Sequence, residues 1–388
     1  MSYQTTSLST VNSSINNYNG NVTNVIPINQ LAGSDLALNL IYNTSSVLLN
    51  EDFKIAKGWK LNYDEYVAKE IIDDIIYYKY VGGTGTIHYF YEKTLENKEK
   101  VWIDEDGLGL SLDIEKNNDG TIEKFVIISK TGIKSTYLKE NNYCLSRIDY
   151  VDNSYVQLVR DASNRIISVK DEKDNIISIS YTSNEIQFTS DSETTSITIE
   201  NNLIKTIHLN IGDISINYNT NDIITKIIDV TGISLSYEYY DGIPYRLKKI
   251  TNIGLNDEIG KFKTFEYHFN STTVTDNKNN KMRYTFNNLG NTIGTVLLSK
   301  DGTLKNSFGF SDQYVDELKL PESNKPFATS VPIKYIEETE TIEYGKENLM
   351  PNGDFESDET NIFTSYGNEI TNETSYTGSH SIKLNSGS

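Results

Sequence analysis

From about Thr131 to about Leu298 the chain alternates apolar and polar residues one for one in short runs. In Ile233-Ser234-Leu235-Ser236-Tyr237-Glu238-Tyr239 the odd positions are all apolar or aromatic and the even ones are Ser, Ser and Glu. Successive side chains of a strand point to opposite faces, so each run predicts a strand with one face for a core and one for water. Phe265-Glu266-Tyr267-His268-Phe269 has the same alternation. Such runs come in pairs separated by polar turns, and the pair recurs. Gly212-Asp213-Ile214-Ser215-Ile216-Asn217-Tyr218 is followed by Ile224-Thr225-Lys226-Ile227-Ile228-Asp229, and the run at 233–239 by Leu247-Lys248-Lys249-Ile250. Earlier copies contain Leu145-Ser146-Arg147-Ile148-Asp149, Ile166-Ile167-Ser168-Val169-Lys170-Asp171 and Ile176-Ile177-Ser178-Ile179-Ser180-Tyr181; a late, degenerate one is Asn280-Lys281-Met282-Arg283-Tyr284-Thr285-Phe286. A repeat of roughly twenty residues built from a hairpin cannot bury its apolar face alone, and stacked neighbours can.

The reading divides the chain into five regions. Residues 1–50, rich in Asn, Ser and Thr, form a leading segment whose first twenty or so residues are expected to be loose. Residues 51–130 hold further hairpins, with Asn118-Asp119-Gly120-Thr121 as a turn and Gly82-Gly83-Thr84-Gly85-Thr86 as another, since a strand pattern and not a helix follows the glycines. Residues 131–318 are the repeats, with Ser190–Asn210 looking eroded. Residues 319–345 are an acidic connector around Tyr335-Ile336-Glu337-Glu338-Thr339-Glu340-Thr341-Ile342-Glu343, and residues 346–388 open a new unit.

Composition sharpens this all-β expectation. There are 27 Tyr against 13 Phe and 2 Trp, a bias that suits half-buried sheet surfaces. The formal charge of −19 opposes binding to nucleic acid. No apolar run approaches the roughly 20 residues of a membrane-spanning helix. Met1-Ser2-Tyr3-Gln4-Thr5 lacks the basic and apolar parts of a signal peptide, which favours a piece of a longer polypeptide. Cys144 is the single cysteine, so internal disulfides are excluded and the thiol reads as a small buried hydrophobe.

Several short blocks, in order, resemble the YD-repeat (Rhs-type) wall-associated proteins of Gram-positive bacteria. They are Asn17-Tyr18-Asn19-Gly20-Asn21-Val22, Ser34-Asp35-Leu36-Ala37-Leu38-Asn39-Leu40-Ile41-Tyr42-Asn43, Gly58-Trp59-Lys60-Leu61-Asn62-Tyr63 and Asp104-Glu105-Asp106-Gly107-Leu108-Gly109-Leu110, followed by the repeats. The resemblance implies a spiralling sheet that becomes part of a hollow shell, with Tyr137, Tyr181, Tyr218, Tyr237, Tyr239 and Tyr284 as the repeat aromatics. It also implies secretion or attachment to the cell wall, and downstream domains of the same polypeptide, such as a toxin, as the shell's guest. Asn348-Leu349-Met350-Pro351-Asn352-Gly353-Asp354-Phe355-Glu356, with Ser375-Tyr376-Thr377-Gly378-Ser379-His380-Ser381-Ile382-Lys383-Leu384, is similar to the start of jelly-roll carbohydrate-binding modules. That likeness makes Glu356 a calcium-ligand candidate and cell-wall glycans alternative partners.

Catalytic patterns are not found in the sequence. His88, His208, His268 and His380 lie far apart, and no nucleophile elbow or phosphate loop occurs. A non-enzymatic scaffold without a cofactor is therefore expected, with a carbohydrate-binding surface protein as the alternative. With roughly seven to nine hairpins the sheet is expected to stay open like a trough. Tyr181, Tyr218 and Tyr237 would line its inside, free to contact an unfolded guest, and Tyr284 and Phe286 would lie at an unpaired edge.

Overall fold

The computed structural model describes residues 2–30, 36–49, 54–95, 98, 100–105, 107–190, 193–287, 290–298, 304–309, 369–371 and 381–383. Among the described residues it is nearly all β, with almost no helix. Glu356 and the connector at 319–345 lie outside the described residues.

Among the described residues, the first sheet consists of Tyr3–Ser7 (β1), Asn12–Asn16 (β2), Val22–Gln30 (β3), Ala37–Asn43 (β4) and Trp59–Leu61 (β5), paired in that order. A short helix, Thr44–Leu49 (α1), intervenes. The second sheet begins with Tyr66–Ile72 (β6), Ile75–Val81 (β7), Ile87–Thr94 (β8), Lys100–Asp104 (β9), Ser111–Lys116 (β10), Ile122–Ile128 (β11), Lys134–Leu138 (β12) and Cys144–Asp149 (β13). It continues through Tyr155–Arg160 (β14), Ile166–Asp171 (β15), Ile176–Tyr181 (β16), Glu185–Thr189 (β17), Thr194–Glu200 (β18), Leu203–Leu209 (β19) and Gly212–Tyr218 (β20). Ile224–Ile228 (β21), Ser234–Tyr239 (β22), Leu247–Ile253 (β23), Ile259–Tyr267 (β24), Ser271–Asp276 (β25), Lys281–Phe286 (β26), Thr292–Leu298 (β27) and Leu304–Gly309 (β28) complete it. Every consecutive pair is antiparallel. Far downstream, Glu369–Thr371 (β29) pairs with Ser381–Lys383 (β30).

The second sheet closes on itself. Along one edge β13 pairs with β12 throughout; its other edge is shared. Cys144 meets Tyr66 of β6, and Arg147, Ile148 and Asp149 meet β14. The strands β6 to β13 therefore form a ring, and β14 leaves that ring as the start of a second turn. The open trough expected from the hairpin count is corrected: a strand pinned to different neighbours at its two ends closes the sheet and lets it continue. Tyr284 and Phe286 are not at an edge either, because β27 and β28 pair beyond β26. Phe286 is buried, edge-on against Tyr18.

The leading segment is also corrected. Residues 2–30 are strands and turns, and Val11, Ile15, Val22 and Ile26 are fully buried. A sheet with one covered face needs few bulky residues of its own when a second sheet supplies the other half of the core.

Two local devices shape the repeats. At many hairpin turns an Asp or Asn side chain caps its own loop. The Asp161 carboxylate accepts the N–H groups of Ser163 and Arg165, and Asp171, Asn219 and Asp276 do the same for their turns. The residue three positions on is left-handed: Asn164 (φ 61°), Asp174 (60°), Asp222 (63°) and Asn279 (63°). Short polar side chains tolerate that conformation.

The second device is a β-bulge near the end of a strand. The register shifts at Tyr137, Arg160, Ile199, Tyr218 and Tyr239. Opposite Arg160, Ile199 and Tyr239 stand Ile166, Ile204 and Leu247, whose carbonyls accept the hydroxyls of Tyr181 (2.8 Å), Tyr218 (2.9 Å) and Tyr267 (2.8 Å) from the next strand. A bulge leaves a backbone group unpaired, and the next repeat's tyrosine satisfies it. That chemistry accounts for Tyr181, Tyr218 and Tyr267 in their repeats.

Candidate functional site

The wall from β14 to β24 carries buried rows that cross from strand to strand. Ile186, Ile197, Ile207 and Ile214 face one another in register, as do Ile216, Ile227 and Leu235, all essentially without exposure. Tyr181, Tyr218 and Tyr237 share this inward face, as the alternation predicts. Tyr218 and Tyr237 do not line an empty trough, because side chains of the first sheet bond to them.

One cross-strand row makes that junction. Thr6, Ser13, Asn24, Tyr42 and Trp59 stand opposite one another across β1 to β5. Each reaches the wall. Thr6 Oγ1 bonds Asn252 Oδ1 (3.3 Å), while Ser13 Oγ and Asn24 Oδ1 accept from the Tyr237 hydroxyl (3.3 and 2.8 Å). The Tyr42 hydroxyl accepts from the Ile224 N–H (3.3 Å), and Trp59 Nε1 donates to the Tyr218 hydroxyl (2.9 Å). Burial pushes the hydroxyls of Tyr42, Tyr218 and Tyr237 well above the ordinary tyrosine range, so they remain protonated donors. At the far end of the same junction Gln4 Nε2 donates to the Tyr284 hydroxyl (2.9 Å).

The ring closure is a second concentration of chemistry. Its backbone bonds include Val67 N–H to Tyr143 O (3.0 Å) and Leu145 N–H to Glu65 O (2.8 Å). Around them sits a buried charge cluster that the sequence reading missed. Arg160, with 2% side-chain exposure, donates to Asp64 Oδ1 (3.1 Å) and to the carbonyls of Asn164, Tyr63 and Leu145. Lys60, fully buried, donates to the Gly82 carbonyl. Glu65 Oε2 accepts from the hydroxyls of Tyr80 and Tyr137, both at 2.8 Å. Burial raises the pKa of Asp64 and of Glu65, opposed by Arg160 and Lys60 at Asp64 and by Lys60 at Glu65. Tyr137 is thus the repeat aromatic that holds the closure. Tyr239 lies half-buried at its bulge opposite Leu247. A sequence signal for Arg160 did exist: it occupies the bulge position where other repeats carry Tyr137, Tyr218 and Tyr239.

The remaining chemistry-bearing groups have structural settings. Cys144 sits at the closure with a thiol pKa raised by burial, which disfavours the reactive thiolate. Asp104 is buried under its own loop, its carboxylate accepting the N–H groups of Leu108 (2.5 Å) and Leu110 (2.7 Å). His208 lies between Asp213 (2.9 Å) and Thr198 (3.0 Å), which has the connectivity of a proton relay. His208 and Asp213 are directly paired on neighbouring strands and exposed by 42% and 60%, on the polar face of the sheet. A nucleophile needs an enclosed site with donors for an oxyanion, and an open sheet face offers none; the three groups form a cross-strand polar cluster. His268 falls just beyond β24, in a turn.

No known family profile matches the chain, and no curated protein does. Solved structures similar to it include the complex TcdB2-TccC3-Cdc42, with 10% identity over 76% of this chain and 19% of that one and a TM-score of 0.30. The Photorhabdus luminescens Tc holotoxin pore matches with 9% identity over 78% of this chain and 23% of that one, TM-score 0.25. The N-terminal domain of the effector SpvB from Salmonella typhimurium strain LT2 matches with 10% identity over 74% of this chain and 98% of that one, TM-score 0.26. The chain spans about a fifth of the length of the first two. Likenesses of this size carry no weight for function.

Proposed function

We propose that the protein is a non-catalytic wall segment of a larger, secreted or cell-wall-associated YD-repeat shell, whose work is to enclose or deliver a downstream effector domain. The observation that carries this reading is the shared strand β13, which closes one turn of sheet and starts the next. A sheet that continues after closing suits an enclosure built turn by turn, and its repeats need only neighbours to be stable. In this reading the first sheet packs the inside of the early wall, and a guest occupies space further along the spiral.

Limited trypsin digestion of the polypeptide, expressed with all that its gene encodes beyond Ser388, tests this. The shell reading expects the downstream part to survive until the wall is unfolded by urea. Cleavage of that part at the rate of the isolated downstream part would overturn it. A glycan array separates the carbohydrate-binding alternative, because a shell wall alone is expected to give no specific signal.

A further inference from the structure

The first sheet ends in β1, and among the described residues no strand lies along its other edge. The β1–β2 ladder runs through Asn17 N–H to Ser2 O and Leu8 N–H to Val11 O. Hydrogen-bonded pairs alternate in an antiparallel ladder, so the even residues of β1 bond to β2. Thr5 and Ser7 consequently turn their N–H and C=O groups to the open side. A groove of about 450 Å³ borders this edge. It touches both Thr5 and Thr6, neighbours whose side chains lie on opposite faces of the strand, and so it follows the backbone itself.

The far side of the groove belongs to the wall. Ile250 and Phe262 give it an apolar floor, and Lys261, Lys263 and Lys278 line it. The acid beside them, Asp276, already accepts from Lys278 N–H, Asn280 N–H and the Asn280 amide of its own turn. Lys263 bonds Gln4 Oε1 (2.9 Å), and burial lowers the pKa of its ammonium. In a chain of formal charge −19, three lysines around one internally satisfied carboxylate reverse the local sign.

We propose that this groove receives an extended acidic strand of a partner polypeptide, which adds to the first sheet alongside β1. The incoming backbone pairs with Thr5 and Ser7, and alternate carboxylates meet the lysines, a division in which main-chain bonds give affinity and side chains give selectivity. An extended polypeptide fits better than a nucleic acid, because an edge of amide and carbonyl groups matches a strand and the rest of the surface repels phosphates. The inference is independent of the shell reading.

Fluorescence anisotropy with a labelled peptide of four Thr-Glu repeats tests it, beside Thr-Gln and Thr-Lys versions and an eight-residue oligothymidine. The Thr-Glu peptide is expected to bind, the Thr-Gln peptide at least about tenfold more weakly, and the Thr-Lys peptide and oligothymidine not at all. The triple variant Lys261→Glu, Lys263→Glu and Lys278→Glu is expected to lose the Thr-Glu peptide. Thr5→Pro removes an outward N–H without touching a β1–β2 bond and is expected to abolish binding with an unchanged circular dichroism spectrum. Equal binding of the three peptides, or binding untouched by the lysine reversals, would overturn the proposal. Retained binding by a folded Thr5→Pro protein, or equal capture of oligothymidine, would reduce the groove to a plain anion site and overturn it too.

Discussion

The seam where β6 meets β13 and the wall from β14 to β24 are parts of one sheet held by opposite means. Along the wall, neighbours share from three to six paired positions, and the buried face is mostly isoleucine, with leucine, valine, phenylalanine and tyrosine. At the seam one pair, Cys144 with Tyr66, is in register, and the burden passes to Arg160, Asp64, Lys60 and Glu65. Apolar contacts are non-directional, so a long row of them tolerates any number of identical repeats. Closing a ring requires one strand to choose a particular partner out of many alike. A buried charge that is satisfied in only one geometry can make that choice, because every other geometry leaves it unpaired.

The largest expected effect follows from that difference. Asp64→Ala leaves the Arg160 guanidinium buried without its counter-charge and is expected to destabilise the protein by about 3–5 kcal/mol in urea unfolding. Replacing both partners, Asp64→Leu with Arg160→Met, is expected to restore most of that stability. If the double variant is as unstable as the single one, the cluster stabilises the fold directly and the selection argument fails. The half-buried pair Lys57–Asp222 (2.6 Å) gives the scale for an ordinary ion pair: Lys57→Ala is expected to cost under about 1 kcal/mol.

The wall answers to volume and not to charge. Ile197→Ala, at the middle of the row from Ile186 to Ile214, is expected to cost about 2–5 kcal/mol through lost burial and a cavity. Smaller effects separate the tyrosines. Tyr218→Phe strands both the Ile204 carbonyl and Trp59 Nε1, whereas Tyr181→Phe strands the Ile166 carbonyl. An expected loss of about 2 kcal/mol against about 1 follows, read from denaturation midpoints. Equal losses would mean that the first sheet gains nothing from its bond to Tyr218.

What the sequence disclosed divides along the same line. The wall was legible because its rules are local: a period of two, a capped turn, a tyrosine at a bulge. Even the stretch Ser190–Asn210, which looks eroded, contains the paired strands β18 and β19, joined through Asn201 (φ 53°) and Asn202 (φ 62°), both left-handed as a two-residue turn needs. The seam was not legible, because Asp64 and Arg160 are 96 residues apart, and although Arg160 stands where other repeats carry a bulge tyrosine, nothing near it points to Asp64 as its partner. The first sheet was misread because half of its core belongs to another sheet. Its order shows only when Thr6, Ser13, Asn24, Tyr42 and Trp59 are set opposite Asn252, Tyr237, Ile224 and Tyr218.

Acid provides the finest separation of the two regions, because their carboxylates are perturbed in opposite directions. In the wall turns the pKa values of Asp161 and Asp276 are lowered, by turn hydrogen bonds that at Asp161 outweigh the opposing effect of burial. A lowered folded pKa contributes stability that is present above the unfolded value of about 3.9 and lost as pH falls through the folded one. At the seam the Glu65 pKa is raised by burial, against the opposing charge of Lys60 and the hydroxyls of Tyr137 and Tyr80. A raised carboxyl pKa has the reverse sign: stability is highest with the proton on and declines as pH rises from the unfolded value of about 4.3 toward the folded one. Asp161→Asn with Asp276→Asn is therefore expected to flatten the loss of stability below about pH 4. Glu65→Gln keeps an oxygen for the two tyrosine hydroxyls and is expected to remove part of the decline above that pH, leaving the acid limb as it was. Urea midpoints measured from pH 3 to pH 8 on the three proteins would reveal both changes. A Glu65→Gln protein whose acid limb changed and whose upper limb did not would show that the closure is held by an ionised Glu65 whose pKa is lowered and not raised, and that wall and seam titrate alike.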